Sequence, residues 1–302
     1  VAFLDLFMQF PVIGPYAKDL GATLGFTGVI VAAYSFTNLI GNLLAGVILD
    51  RWGRTIPLQV GLLCTAFALI GYVIASSPSG LLLARSFHGM SAAMLAPAAF
   101  AIIGDTASAS DRVRIMGRSS APVAAAALVG PMIGAFLGRA AGYPSVFALS
   151  AMLMFGMFLV FWIFSRRETR PTQSQDTNKE TQTAITGLDY SRLIIACIAA
   201  LAMTIGLGAL VTHLPISLIA QGEASSASGP PFTTFALVAT LIMASPLTLL
   251  ADRRGRFFSL SIGLLLITGG LFFLSIFQGM LTAITGMAIF GAGFGLLFPT
   301  MV

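Results

Sequence analysis

Ten runs of apolar residues, separated by short polar turns, pattern this chain: roughly 1–17, 24–49, 56–76, 79–104, 117–138, 144–165, 192–220, 231–250, 257–277 and 280–302. A helix needs about 20 apolar residues to cross the hydrocarbon core of a bilayer. The pattern therefore predicts an all-α, polytopic membrane protein with ten spans. Residues 166–191 form the one long polar connection, rich in Thr, Gln and charge and without apolar period. They read as a flexible linker between an N-terminal bundle, 1–165, and a C-terminal bundle, 192–302. The stretch Gly222 to Pro231 is a shorter turn, and Pro230-Pro231 can open the next helix because its first turn needs no N–H there. Val1 and Val302 both lie inside apolar runs, so the pattern predicts a fragment lacking two further spans.

Composition excludes a soluble domain. Hydrophobic residues make up 57% and charged residues 9%, against about 25% charged in soluble proteins. The net charge of +5 could suggest a nucleic-acid partner, but placement argues otherwise. If the turn at Asp50 faces the cytoplasm, every Lys and Arg except Lys18, Arg85 and Arg139 falls on that side or in its loops. That is the positive-inside bias. It predicts a multi-pass protein of the cell membrane with a cytoplasmic N-terminus, and no nucleic-acid partner. Cys64 and Cys197 lie inside apolar runs without disulfide or metal spacing, and read as buried structural residues.

The turn Gly46-Val-Ile-Leu-Asp50-Arg51-Trp-Gly53-Arg54 joins the second and third runs. Asp50 ends a helix, where the macrodipole disfavours an anion and favours Arg51 and Arg54. Its carboxylate either has a partner elsewhere or merely starts the turn. A second copy, Asp252-Arg253-Arg254-Gly255-Arg256, stands 202 residues later. Gly61-Leu62-Leu63 recurs at the same offset as Gly263-Leu264-Leu265, and Gly89, Leu95 and Pro97 recur as Gly291, Leu297 and Pro299. Matches at one offset on separate helices indicate internal duplication. Parallel repeats of six spans are the plan of one large transporter class.

Gly46 to Arg54 resembles the loop 2-3 signature of the major facilitator superfamily, a Gly followed four residues later by Asp-Arg-x-Gly-Arg. Asp252 to Arg256 is similar to its weaker echo in loop 8-9. The resemblance covers essentially the whole chain and implies two six-helix bundles around a midplane site. It also implies that Arg54 bridges to Asp105 at the cytoplasmic end of span 4, while Asp50 caps the N-terminus of an eleventh helix.

Ionisable groups inside a span are costly and mark function by default. Asp5 stands about 12 residues from the outer end of span 1, roughly 18 Å deep and near the midplane. Arg85 enters span 4 from the outer side. Gln9 shares the face of Asp5, and His88 shares that of Arg85. By depth, Arg85 and His88 meet Gln9 sooner than Asp5; a direct Asp5–Arg85 pair requires Arg85 to reach inward, the alternative being Asp5 on backbone or water. Arg85-Ser-Phe-His88-Gly89 resembles the helix 4 motif Arg-x-x-Gln-Gly of the drug:proton antiporters within the superfamily, with His88 where Gln is usual. The resemblance implies that Arg85 takes part in proton coupling. His88 either carries the proton, since histidine titrates near neutrality, or donates the hydrogen bond that Gln would. His213 reads as an interfacial anchor.

Gly130-Pro131-Met-Ile-Gly134, extended by Gly138, sets glycines on one face of span 5, so another backbone can approach closely, and Pro131 removes a ladder bond. It resembles the helix 5 antiporter motif of the same family, with Ala135 in place of the usual second glycine. The cavity wall is expected from Gln9, Tyr34, Asn38, Phe87, Met90, Met203, Thr204, Met287 and Phe290, a lining suited to adaptable lipophilic ligands. Met287 occupies the position of Arg85 in the second repeat, which confines charge to the N-terminal half.

The expected activity is proton-coupled export of small lipophilic compounds by alternating access. Metabolite uptake on the same fold is the first alternative, and a non-transporting membrane sensor or scaffold the second. No nucleophile, base and orienting group converge and no phosphate-cradling loop follows a strand, so neither an enzyme nor an ATP-driven pump is expected. No cofactor or metal is implied; the expected partners are a small-molecule substrate, protons and the bilayer, with the chain a monomer.

Overall fold

The structure, a computed structural model, describes residues 1–106, 121–165, 190–245, 256–276 and 278–301. Twelve helices are described: α1 (Ala2–Gln9), α2 (Ile13–Asp19), α3 (Leu24–Trp52), α4 (Thr55–Ile74), α5 (Pro78–Ala92), α6 (Leu95–Thr106), α7 (Ala121–Ala141), α8 (Tyr143–Ser165), α9 (Tyr190–Ala220), α10 (Gly229–Ala244), α11 (Arg256–Ile276) and α12 (Met280–Met301). Among the described residues, eight helical segments are long and apolar enough to cross a membrane, and α10 is a shorter apolar helix.

Two expected spans are broken rather than continuous. The run 1–17 divides at Phe10–Val12 into α1 and α2. Pro11 lacks an N–H, and the ring of Pro15 excludes the carbonyl four residues back, so the junction closes with shorter bonds, Phe10 N–H to Phe7 O and Val12 N–H to Gln9 O. The run 79–104 divides at Ala93–Met94 into α5 and α6. Pro97 stands four residues after Ala93 and acts there in the same way. Pro131 and Pro215, by contrast, lie inside continuous helices.

Helix ends carry the chemistry that the turns need. Thr23 caps α3 by accepting from Phe26 N–H at 3.3 Å, and Ser77 caps α5 by accepting from Gly80 N–H at 3.2 Å, with Pro78 in its first turn. Gly53, at φ +71°, lets the chain reverse between α3 and α4. The turns 20–23, 75–77, 142, 221–228 and 278–279 lie at one end of the molecule. Gly53 lies at the other.

Lipid is as apolar as leucine, so helices here associate through close packing rather than hydrophobic burial. α3 packs on α5, α4 lies between α5 and α8, and α1 lies on α7. In the second half α12 packs on α10 and α11, with α9 alongside. The 202-residue repeat recurs as contacts. A methyl group on Gly61 would stand 3.0 Å from Leu95 Cδ2 and 3.3 Å from Ser91 O; one on Gly263 would stand 2.6 Å from Leu297 Cγ and 3.2 Å from Gly293 O. Gly89 lies against Tyr34 O as Gly291 lies against Phe235 O. Matched sequence thus gives matched packing.

The halves meet through α7 with α10 and through α9 with α2 and α3. Gly14 lies against the Thr212 and Val211 carbonyls, and Gly229 against Ala135 and Pro131 O. Ser228 Oγ donates to Pro11 O at 3.4 Å, Arg139 Nη1 donates to Ser226 Oγ at 3.5 Å, and the Phe10 and Phe232 rings lie 5.8 Å apart. These contacts run from mid-molecule to the end that carries the turns 20–23 and 221–228.

Candidate functional site

Four polar side chains in the N-terminal half share one buried cluster, each at most 3% exposed: Asp5 and Gln9 from α1, Arg85 and His88 from α5. Residues three or four apart share a helix face, so two helices deliver all four. A buried charge needs partners, and the cluster supplies them in a ring. Arg85 Nη1 donates to Gln9 Oε1 and, at 3.5 Å, to the Tyr72 hydroxyl of α4. Gln9 Nε2 donates to Asp5 Oδ1 at 2.7 Å. His88 Nε2 lies 3.2 Å from Asp5 Oδ2, and its Nδ1 lies 3.0 Å from the Tyr72 hydroxyl. Arg85 Cζ sits 4.9 Å from the centre of the Tyr34 ring, a cation–π contact.

The expected alternatives for Asp5 resolve differently from both. Its direct basic partner is His88, and Arg85 reaches it only through neutral side chains. The reason is depth: Arg85 stands one turn before His88 along α5, level with Gln9 rather than Asp5. Tyr72, absent from the sequence-based site, completes the ring. The signal available was its position, since a tyrosine hydroxyl buried within an apolar run needs a partner. Tyr16 supports this region by donating to Tyr72 O at 2.8 Å and Ala75 O at 3.2 Å.

A cavity of about 170 Å³ adjoins Asp5 and His88, bordered by Tyr34, Asn38, Asn42 and Met154. Asn38 is fixed by donating to Gly89 O at 3.0 Å and by accepting from Asn42 Nδ2 at 2.8 Å. Ala2, Phe3 and Pro97 also border it, which sets it toward the end carrying Gly53.

The other expected lining residues are placed elsewhere. Phe87 is half exposed and borders a separate groove between α4 and α5 with Phe67, Gly71 and Leu83. Met203, Met287 and Phe290 are buried within the second half, where Phe290 packs on Phe235 and Gly206. Thr204 is exposed and its hydroxyl bonds back to the Ala200 and Leu201 carbonyls. Met90 instead lies against Gly41. Helix rotation decides this: one residue turns a side chain by about 100°.

Gly130 and Gly134 of α7 face α1, where added methyl groups would run into Phe7 Cβ and Met8 O. The glycine face therefore seats the helix that carries Asp5 and Gln9. At the Gly53 end, Gly46, Asp50 and Arg51 are exposed, and Arg54 Nη1 donates to Ala101 O at 3.2 Å. Asp252, Arg253 and Gly255 lie outside the described residues, as do the side chains of Asp105 and Arg256.

The family model described as Major Facilitator Superfamily matches residues 1–302. The quinolone resistance protein NorA of Staphylococcus aureus (strain MSSA476) is 26% identical over 210 residues, covering 70% of this chain and 54% of that protein. Multidrug resistance protein 1 of Bacillus subtilis (strain 168) is 27% identical over 181 residues, covering 60% of this chain and 46% of that protein. The chain thus spans about half the length of these relatives. In fold it is similar to an inward-facing, unoccupied bacterial homologue of the human lysosomal transporter Spinster, with a TM-score of 0.80, 14% identity and coverage of 99% of this chain and 71% of that one. A D-xylose-proton symporter aligns with a TM-score of 0.71, 13% identity and coverage of 98% and 77%.

Proposed function

The chain belongs to the Major Facilitator Superfamily, and from that premise we propose that it works in proton-coupled export of small, mainly lipophilic compounds. The observation that carries this reading is the ring around Asp5: a buried carboxylate, bordered by a cavity, with Gln9 Nε2 donating to one oxygen and His88 Nε2 3.2 Å from the other. The relatives named for quinolone and multidrug resistance supply the substrate class.

Proton uptake on Asp5 turns one accepting oxygen into a donor. Gln9 Nε2 donates to Oδ1 from the same helix, whereas His88 Nε2 faces Oδ2 from α5, so a proton taken up on Oδ2 weakens the link from Asp5 to α5. α1 then loosens from α5. Gln9 adjoins Phe10 and Pro11, which touch Phe232 and Ser228 of the other half. Proton occupancy at Asp5 therefore biases the contact between the bundles, and a substrate in the cavity biases it in the opposite sense through its differential affinity for the two states. In this reading the bundles are residues 1–165 and 192–302, joined by the linker 166–191. They rock about the midplane, with the Gly53 end and the N-terminus on the cytoplasmic side of the cell membrane, and the chain acts as a monomer.

The test uses the intact protein in inverted membrane vesicles under an imposed proton gradient, reported by a pH-sensitive dye while lipophilic cations and neutral drugs are added. Substrate-dependent collapse of the gradient, absent with Asp5→Asn, is expected. An undisturbed gradient across the panel, with saturable inward movement of a metabolite, would replace export by uptake.

A further inference from the structure

The ring has a direction. Arginine can only donate hydrogen bonds and a carboxylate can only accept them, so Arg85 and Asp5 fix the sense of everything between them. On one arm Arg85 donates to Gln9 Oε1, and Gln9 Nε2 donates to Asp5 Oδ1. On the other arm Arg85 Nη1 lies 3.5 Å and His88 Nδ1 3.0 Å from the Tyr72 oxygen; the assignment that gives each acceptor one donor has the Tyr72 O–H donating to Nδ1. An imidazole that accepts at Nδ1 carries its proton on Nε2, and Nε2 faces Asp5 Oδ2 at 3.2 Å. The groups facing the imidazole are Asp5 from α1, Tyr34 from α3, Tyr72 from α4 and Arg85 from its own helix; α6 and α8 bring the apolar Leu95, Ala96, Pro97 and Met154 to the same cavity.

We propose that Tyr72 is a positioning residue that holds His88 as the neutral Nε2–H tautomer, so that the proton of the coupling step resides on Asp5 and the imidazole serves as a fixed donor. A second proton on His88 would have to enter at Nδ1, where the Tyr72 O–H already points. Entry would require that hydroxyl to turn away while its oxygen still accepts from Arg85. The lone pair is therefore occupied by a donor rather than open to a proton. This extends the reading of Asp5 as the coupling carboxylate and rests on it for the transport consequence alone. The tautomer itself is a property of the resting protein.

Two measurements separate the claims. In purified protein with ¹⁵N-labelled histidine and His213 replaced by Gln, nitrogen NMR is expected to show one fixed Nε2–H tautomer of His88. Tyr72→Phe keeps the ring and the backbone carbonyl to which Tyr16 bonds, but frees Nδ1; His88 is then expected to populate both tautomers. A wild-type His88 with its proton on Nδ1, or a Tyr72→Phe spectrum identical to wild type, overturns the proposal whatever the protein transports. In vesicles, Tyr72→Phe is expected to slow proton-driven transport. A fixed tautomer in Tyr72→Phe together with a parental transport rate would overturn the role of Tyr72.

Discussion

Arg85 is held by two neutral acceptors, Gln9 and Tyr72, and by the face of Tyr34, while the charge that balances it lies one side chain further away on Asp5. Two donors from one planar head serve both arms of the ring, which a lysine ammonium does not reproduce in the same geometry. Arg85→Lys should therefore retain charge and lose at least tenfold in proton-driven transport, measured as initial rate in vesicles. Arg85→Ala leaves Gln9 Oε1 buried without its donor and removes the nearby positive charge from Asp5, a loss of about 1–3 kcal/mol for a buried polar group left unsatisfied. Adding Asp5→Asn should recover much of that loss, and chemical unfolding of the four variants in detergent tests it as a double-mutant cycle. Simple additivity would mean that the two groups do not communicate.

At the scale of the helices, the glycines that matter are those against another backbone. A methyl group on Gly134 would run into Met8 O, whereas one on Gly156 meets nothing within 4 Å. Gly134→Ala should thus push α1 off α7 and destabilise the protein by about 1–3 kcal/mol, the usual range for overpacking. Gly156→Ala should be neutral. Thermal unfolding in detergent compares them, and transport should fall only in the first, because α1 carries Asp5 and Gln9. The breaks at Phe10–Val12 and Ala93–Met94 fall just beyond the ring residues: α1 ends at Gln9 and α5 ends four residues after His88.

For the whole molecule, the described side-chain contacts between the halves gather toward the end with the turns 20–23 and 221–228, while the cavity beside Asp5 lies toward the Gly53 end. Alternation between two faces requires those contacts to part. With Cys64 and Cys197 replaced by Ser, the pair Ala135→Cys and Gly229→Cys joins positions where a methyl on Gly229 would stand 2.8 Å from Ala135 Cβ, close enough for a disulfide after slight relaxation. Oxidation should stop transport and reduction should restore it. Unchanged transport with the bridge formed would show that this end does not open in the cycle.

The apolar runs, the turns, the 202-residue repeat and the confinement of charge within the spans to the first repeat were all legible in the chain, because span length, charge placement and repetition are local properties that survive without knowledge of neighbours. The family followed from the turn at Asp50, and Asp5, Gln9, Arg85 and His88 stood out because polar groups inside a span are rare and costly. Which of them touch was a different matter. Depth along the spans anticipated Gln9 rather than Asp5 against Arg85, but not that His88 takes the carboxylate. Tyr72 entered from a third helix, Phe87 turned to an outer groove, and Met287 and Phe290 turned inward to pack. Rotation and depth are set by the neighbours on which a helix packs, and a register difference of one residue swings a side chain by about 100°. The sequence determined that a charged, buried site exists in the first bundle; only the tertiary structure decided that it is a closed ring of donors ending on Asp5.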